Sequence, residues 1–211
     1  MLMNQRGNFS WVMKKILNQR EDFNRIMIGV QGDSFKSKML YEKLKCGEPL
    51  MPWFKLLWNN LERPRAQFIL WLACHDRLAT RERLHRFNLI ASRVCVFCSD
   101  IETTKHLFFE CPVTNEIWCK VLDWLQVKHK PKNWSEEKDW LIKNCKGKGW
   151  RSTSLKCAVT ETIYYTWMLR NDMVFGKDNN RQKIVKDIID TLVYRLWENR
   201  KVRKHLALLM V

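Results

Sequence analysis

Apolar residues return every three or four positions along most of the chain, the spacing of helices that bury one face. In residues 9–20, Trp11, Val12, Ile16 and Leu17 mark a short amphipathic helix. Residues 29–34 (GVQGDS) are turn chemistry, and a compact domain is expected to begin just after them. Ser37 is placed to cap a helix reaching Cys46, with Met39, Leu40 and Leu44 inward, and Gly47-Glu48-Pro49 stops it. Pro52 then opens a helix over 53–61 that sets Trp53, Leu57 and Leu61 on one face. After Pro64, the run FILWLAC at 68–74 is apolar on every side. It predicts the most buried helix of the chain, with Trp71 bracing the segment that follows.

Shorter units come next. Thr80 caps a helix to Phe87 whose Leu84 and Phe87 face inward and whose exit falls at Asn88. Arg81, Arg83 and Arg86 remain for its other side, between Arg77 and Arg93. From Pro112 onward, Val113, Ile117, Val121 and Leu125 recur every four residues. Residues 128–151 break the pattern, being polar, with Pro131, Gly147 and Gly149, acidic at Glu136, Glu137 and Asp139 and basic beyond. They read as a linker carrying a short helix at 134–144. Two longer helices follow. The first, at 154–171, buries Leu155, Val159, Ile163 and Trp167; the second, at 181–204, buries Ile184, Ile188, Leu192 and Leu196. The expected fold is mainly α, with sheet limited to a tiny hairpin near residues 95–98. It divides into a helical arm (1–34), a compact helical domain (35–126), a polar linker (127–152) and a C-terminal helical pair (153–211).

One window carries chemistry. Residues 94–118, VCVFCSDIETTKHLFFECPVTNEIW, space Cys95, Cys98, His106 and Cys111 as C-x2-C-x7-H-x4-C. Two thiolates two residues apart grip one side of a zinc ion from a tight turn. A His and a Cys from a following helical turn and its exit complete a tetrahedron. Four protein ligands leave no open position for water or substrate, so one Zn2+ held this way is structural. A Cys-x-x-Cys pair alone also fits buried thiols or a redox site, but no βαβ pattern surrounds this one and the window is too small to pack its own core. Cys46, Cys74, Cys119, Cys145 and Cys157 form no second pair at ligand spacing and read as small core residues or stray thiols. His75, beside Cys74, is the one conceivable substitute ligand and is not expected to serve.

Around these ligands the sequence resembles a known family, the zinc-binding domain that follows the polymerase in LINE-type (non-LTR) retrotransposon reverse transcriptases, abundant in plants. The resemblance rests on Phe68 with Trp71, the run Arg77-Leu78-Ala79-Thr80-Arg81, Leu84, both cysteines of the pair and Glu102-Thr103. It continues through His106-Leu107-Phe108, Cys111-Pro112 and Ile117-Trp118. Upstream echoes are Phe35-Lys36-Ser37, Tyr41, Pro52-Trp53 and Trp58; downstream ones are Tyr165-Thr166-Trp167, Arg170-Asn171 and Phe175. Ser99 stands where such a knuckle often has Gly, with Asp100 placed to absorb the turn. The resemblance implies an accessory module that handles template RNA or target DNA.

Charge points the same way. Lys and Arg number 38 against 22 Asp and Glu, a formal +16 that favours nucleic acid over a membrane as partner. The knuckle itself is locally acidic, with Asp100, Glu102 and Glu110 against Lys105, so phosphate contact is expected from its neighbours. Arg77, Arg81, Arg83 and Arg86 are the first candidates for nucleic-acid binding, ahead of the basic residues at 143–151 and 200–204; a merely solvated face is the plain alternative for each. Most tryptophans fall on apolar stripes and read as core, Trp150 excepted. Enzyme motifs are missing from the sequence. It has no Asp-Asp pair for two-metal polymerisation, no Pro-Asp of the related nucleases, no H-x-E with P-C-x-x-C and no P-loop. A non-catalytic role is therefore expected. Two other readings stay open: a zinc-held scaffold that docks to a reverse transcriptase core or a host protein, and a retroelement remnant without a selected role. The opening residues lack the apolar core of a secretory signal, and no apolar run approaches the ~20 residues of a membrane span, so nucleus or cytoplasm is expected.

Overall fold

The computed structural model describes residues 51–57, 61–177 and 183–206. The helices expected at 9–20 and 37–46 lie outside them. The described elements are α1 (Phe54–Leu57), α2 (Pro64–Cys74), α3 (Arg81–Arg86), a π-helical turn (His106–Glu110), α4 (Pro112–Trp124), α5 (Trp134–Asn144), α6 (Trp150–Val174), α7 (Ile184–Glu198) and α8 (Arg200–Leu206). The fold is mainly α. The β pairing among the described residues is one antiparallel bridge, Val94 to Ile101, at the foot of the cysteine loop.

Helix α6 is the axis. Leu155, Val159, Ile163 and Trp167 are buried as their spacing predicts, and so are Cys157, Ala158, Thr162 and Thr166 between them and Leu169 beyond. A helix buried around most of its girth must be covered on several sides, and α2, α4, α5, α7 and α8 supply the cover. Helix α7 lays down Ile184, Ile188, Leu192 and Leu196, the stripe read from the sequence. It ends at Asn199, whose side-chain oxygen accepts from the backbone N–H of Lys201 and Val202, so the helix expected at 181–204 is two helices with an Asn cap between them.

Helix α2 departs from its expectation. It buries Ala66, Leu70 and Ala73 only, while Phe68 is 56 % exposed and Trp71 37 % exposed. Small residues let α2 approach α6 closely, and the 100° step of a helix then turns the aromatics outward. Trp71 is turned away from the core; it stacks on Phe68 and meets the His75 ring at a tilt. Phe87 is likewise 62 % exposed, because α3 is too short to bury a stripe.

The polar stretch at 127–152 does connect α4 to α6, and it does so as packed structure. Asn133 caps α5 through the N–H groups of Ser135 and Glu136, and Trp134, Leu141 and Cys145 enter the common core. Glu137 is fully buried there, accepting from the Trp118 indole at 2.8 Å and bonded to His129 at 2.8 Å.

Candidate metal centre

The cysteine loop is closed by backbone. Cys95 N–H donates to the Asp100 carbonyl at 2.7 Å, and Glu102 N–H to the Arg93 carbonyl at 2.9 Å, so Cys95 and Cys98 project from a tight two-sided turn. Among the described non-glycine residues φ is positive at Asp76, Asn88 and Gln126, so Ser99 closes the loop without left-handed backbone. Next, Thr103 Oγ1 accepts from His106 N–H at 3.0 Å and starts the π-helical turn. Its wide i-to-i+5 bond, Cys111 N–H to the His106 carbonyl at 2.7 Å, brings His106 and Cys111 to one side. Leu107, Phe108 and Phe109 then face the core, where Phe109 packs on Trp118 and Trp134. A buried aromatic footing thus seats the loop that the four polar ligands would share.

The four sequence-predicted ligands come together. One donor atom from each of Cys95, Cys98, His106 and Cys111 lies within 4.8 Å of all the others. Cys98 Sγ stands 3.1 Å from His106 Nε2 and 3.8 Å from Cys111 Sγ. Zinc–sulfur bonds of about 2.3 Å and zinc–nitrogen bonds of about 2.0–2.1 Å put tetrahedral ligand atoms about 3.5–3.8 Å apart, so the cluster is able to hold one metal ion. The chemistry of the donors agrees. Cys111 is drawn down to about 5 by the Cys95 thiol that donates to it, against the effect of burial and with help from the N–H groups of Thr114 and Val113. Cys95 is pushed up by the same hydrogen bond and by burial, and burial raises Cys98. Three thiols in one site cannot all ionise on their own charge; a divalent cation removes that conflict.

His75 is not at the cluster; its ring packs against Trp53 and Trp71. Cys145 and Cys157 are fully buried thiols, and burial raises both, with Cys145 at about 12. Cys46 lies outside the described residues.

The structure adds a residue that the sequence did not single out as functional. Arg170, on α6 and 4 % exposed, meets Glu102, which is fully buried, through Nε at 3.1 Å and Nη2 at 2.7 Å. The same Glu102 oxygen accepts from Arg81 N–H at 2.8 Å, and the other faces Val96 N–H at 3.5 Å. One carboxylate therefore joins the cysteine loop, α3 and α6. The signal in the sequence was an arginine on an otherwise buried helix, since a charge there requires a partner.

The four arginines named from the sequence sit near this hub. Arg77 and Arg86 are exposed, and Arg81 and Arg83 half-buried. Arg86 pairs with Glu82 at 3.0 Å, and Arg83 donates to the Asp76 carbonyl at 3.2 Å and lies over the Phe87 ring.

Residues 35–118 match the family model described as zinc-binding in reverse transcriptase. This segment is similar to the zinc-binding domains of reverse transcriptases. An Arabidopsis thaliana protein carrying the provisional name "ribonuclease H protein" is 26 % identical over 168 residues, covering 74 % of this chain and 26 % of that protein. The chain therefore spans about a quarter of the length of the curated relative it matches. No solved structure matches. The matched residues stop inside α4, short of Arg170. Among the described residues no helix is long and apolar enough to cross a membrane.

Proposed function

We propose that this chain is a non-catalytic accessory module of reverse-transcriptase type that contacts RNA or DNA through Arg77, Arg81, Arg83 and Arg86. Cys95, Cys98, His106 and Cys111 hold one structural Zn2+, and the module works in the nucleus or cytoplasm. The observation that carries the reading is the mount of α3. Thr80 caps it through Arg83 N–H, and its first turn donates Arg81 N–H and Glu82 N–H to Glu102 at 2.8 and 3.2 Å. The arginines thus stand on a support tied to the metal loop rather than on a free segment. The Arg86–Glu82 pair joins an exposed arginine to a half-buried glutamate at the surface and is worth about 1 kcal/mol or less, so phosphate competes with it.

Binding of a single-stranded RNA and a DNA duplex, titrated against salt, tests the reading. Log affinity should fall linearly with log salt, by about 0.9 per duplex phosphate contacted, and replacing Arg81, Arg83 and Arg86 with Ala should flatten that slope. No binding at low salt, or binding unmoved by the replacement, refutes it.

A specific feature favours a second reading, docking to a reverse transcriptase core or a host protein. Phe87, Leu89, Val94 and Ile101 are exposed apolar residues near α3 and the loop. A salt-insensitive association with a polymerase core, lost on Phe87→Ser with Leu89→Ser, would support it over nucleic acid.

A further inference from the structure

Away from the metal centre, α4 and α5 end where α6 begins, and a cavity of about 330 Å3 opens between them. That volume is at the small end of the range for ligand sites. Trp140, Asn144, Trp150, Arg151 and Ser154 are on its wall. Each tryptophan is already backed by an imidazole. His129 stacks on Trp140 at 3.7 Å between centroids and 4° from parallel, and His205 on Trp150 at 4.9 Å and 7°. The two indoles are therefore pre-set aromatic walls.

The same wall holds the start of a 25-residue helix. Gly149 is the N-cap of α6, no side chain caps it, and the first turn carries no acidic residue. Leading N–H groups of an uncapped helix, with the positive end of its dipole, favour an anion. A separate observation points to a ligand. Ser154 lines the cavity, is 1 % exposed, and its hydroxyl meets no hydrogen-bond partner among the described residues. Buried hydroxyls are nearly always paired, and a ligand oxygen in the cavity would pair this one. The approach is cationic: residues 143–151, KNCKGKGWR, hold four basic residues and no acid. Arg151 adds its guanidinium 5.2 Å from the Trp150 ring centroid.

We propose that this cavity binds one nucleotide unit of single-stranded nucleic acid, its phosphate at the α6 N-terminus and Arg151 and its base against the tryptophan walls. An acidic peptide would satisfy the charge but offers no planar ring to the aromatic walls. A duplex is too wide for a cavity of this size. The site does not require the α3 arginines to touch nucleic acid, so the two assignments stand or fall separately.

The test uses the full zinc-loaded chain, a fluorescently labelled short oligouridylate and anisotropy. Gly149→Asp is the decisive variant. A Cβ at Gly149 meets nothing within 4 Å, and its φ of −70° suits any residue. Asp is a favoured N-cap, so the fold should hold or gain stability while a carboxylate occupies the anion position. Affinity should drop at least about tenfold with no fall in melting temperature, whereas Gly149→Ala should bind near the parent level. Ser154→Ala should lose less, and inorganic phosphate should compete. Parent-like binding by Gly149→Asp overturns the proposal, as does an equal loss in the Asp and Ala variants. Loss confined to the Arg81, Arg83 and Arg86 replacement also overturns it, leaving α3 as the contact. Loss confined to Gly149→Asp supports this cavity and removes α3 from the interface.

Discussion

At Glu102 and Arg170, two parts of the chain 68 residues apart in sequence share one buried ion pair. Removing one partner of such a pair strands the other charge, which costs about 3–5 kcal/mol, while removing both with apolar or neutral substitutes costs far less. Arg170→Met should therefore lower the urea midpoint sharply, and adding Glu102→Gln should restore most of it; equal damage from single and double variants would contradict the pairing. Glu62 makes the opposite case. Burial pushes its carboxyl up to about 8 from 4.5, helped by the negative charge of Glu161, which itself pairs with Arg63. The folded chain then keeps a proton that the unfolded chain has lost between those values. Stability from this group is full below the unfolded value and falls as pH rises toward 8, by up to about 1.4 kcal/mol per pH unit. Glu62→Gln should flatten the stability profile between pH 5 and 8, read by urea unfolding at each pH; an unchanged slope would refute it. At the thiols the sign runs the other way for metal. Zinc displaces protons from Cys95 and Cys98, which are both raised, so apparent zinc affinity should fall as pH falls, measurable by competition with a chromogenic chelator.

At the scale of elements, the π-helical turn and the loop at 94–102 depend on the metal more than the helices do. They have one β bridge and a few backbone bonds of their own, against the ~10–16 kcal/mol that structural zinc supplies in small fingers. Cys98→Ser or chelation should broaden or shift the backbone NMR signals of 94–118 while α6 and α7 keep theirs; uniform unfolding, or no change, would contradict this division. These elements also show what the sequence made legible. The ligand spacing led straight to the cluster, because four soft donors in a short window have few other uses. The stripes of α4 and α7 were readable because a buried face repeats every turn, and the stripe read on α6 is one side of a helix buried around most of its girth. Helix α2 misled because a wholly apolar run does not say which side meets the core, and there the small Ala66 and Ala73 outcompete Phe68 and Trp71. The packing of α5 was hidden by its polar surface, whose inward residues are few and include an acid, Glu137. Glu102 read as a local negative charge because its cation stands on a distant helix.

For the whole molecule, one hydrophobic cluster runs from Trp53 through Trp118 and Trp134 to Leu206. The matched zinc-binding domain is therefore finished by elements beyond it. A chain ended at residue 126 would expose Trp118, Val121 and Leu122 and leave Glu102 without Arg170. It should lose its near-ultraviolet circular dichroism and aggregate even with zinc present, whereas the full chain should keep that signal; a well-folded short chain would contradict the shared core. The excess of positive charge, by contrast, belongs to the surface, where it bears on partners and not on the fold. Beneath both lies the claim that Cys95, Cys98, His106 and Cys111 close around one ion. Elemental analysis of the chain purified without added metal tests it most directly. One zinc per chain, falling well below one in Cys98→Ser, is the expected result; a folded chain with no stoichiometric zinc would contradict the account.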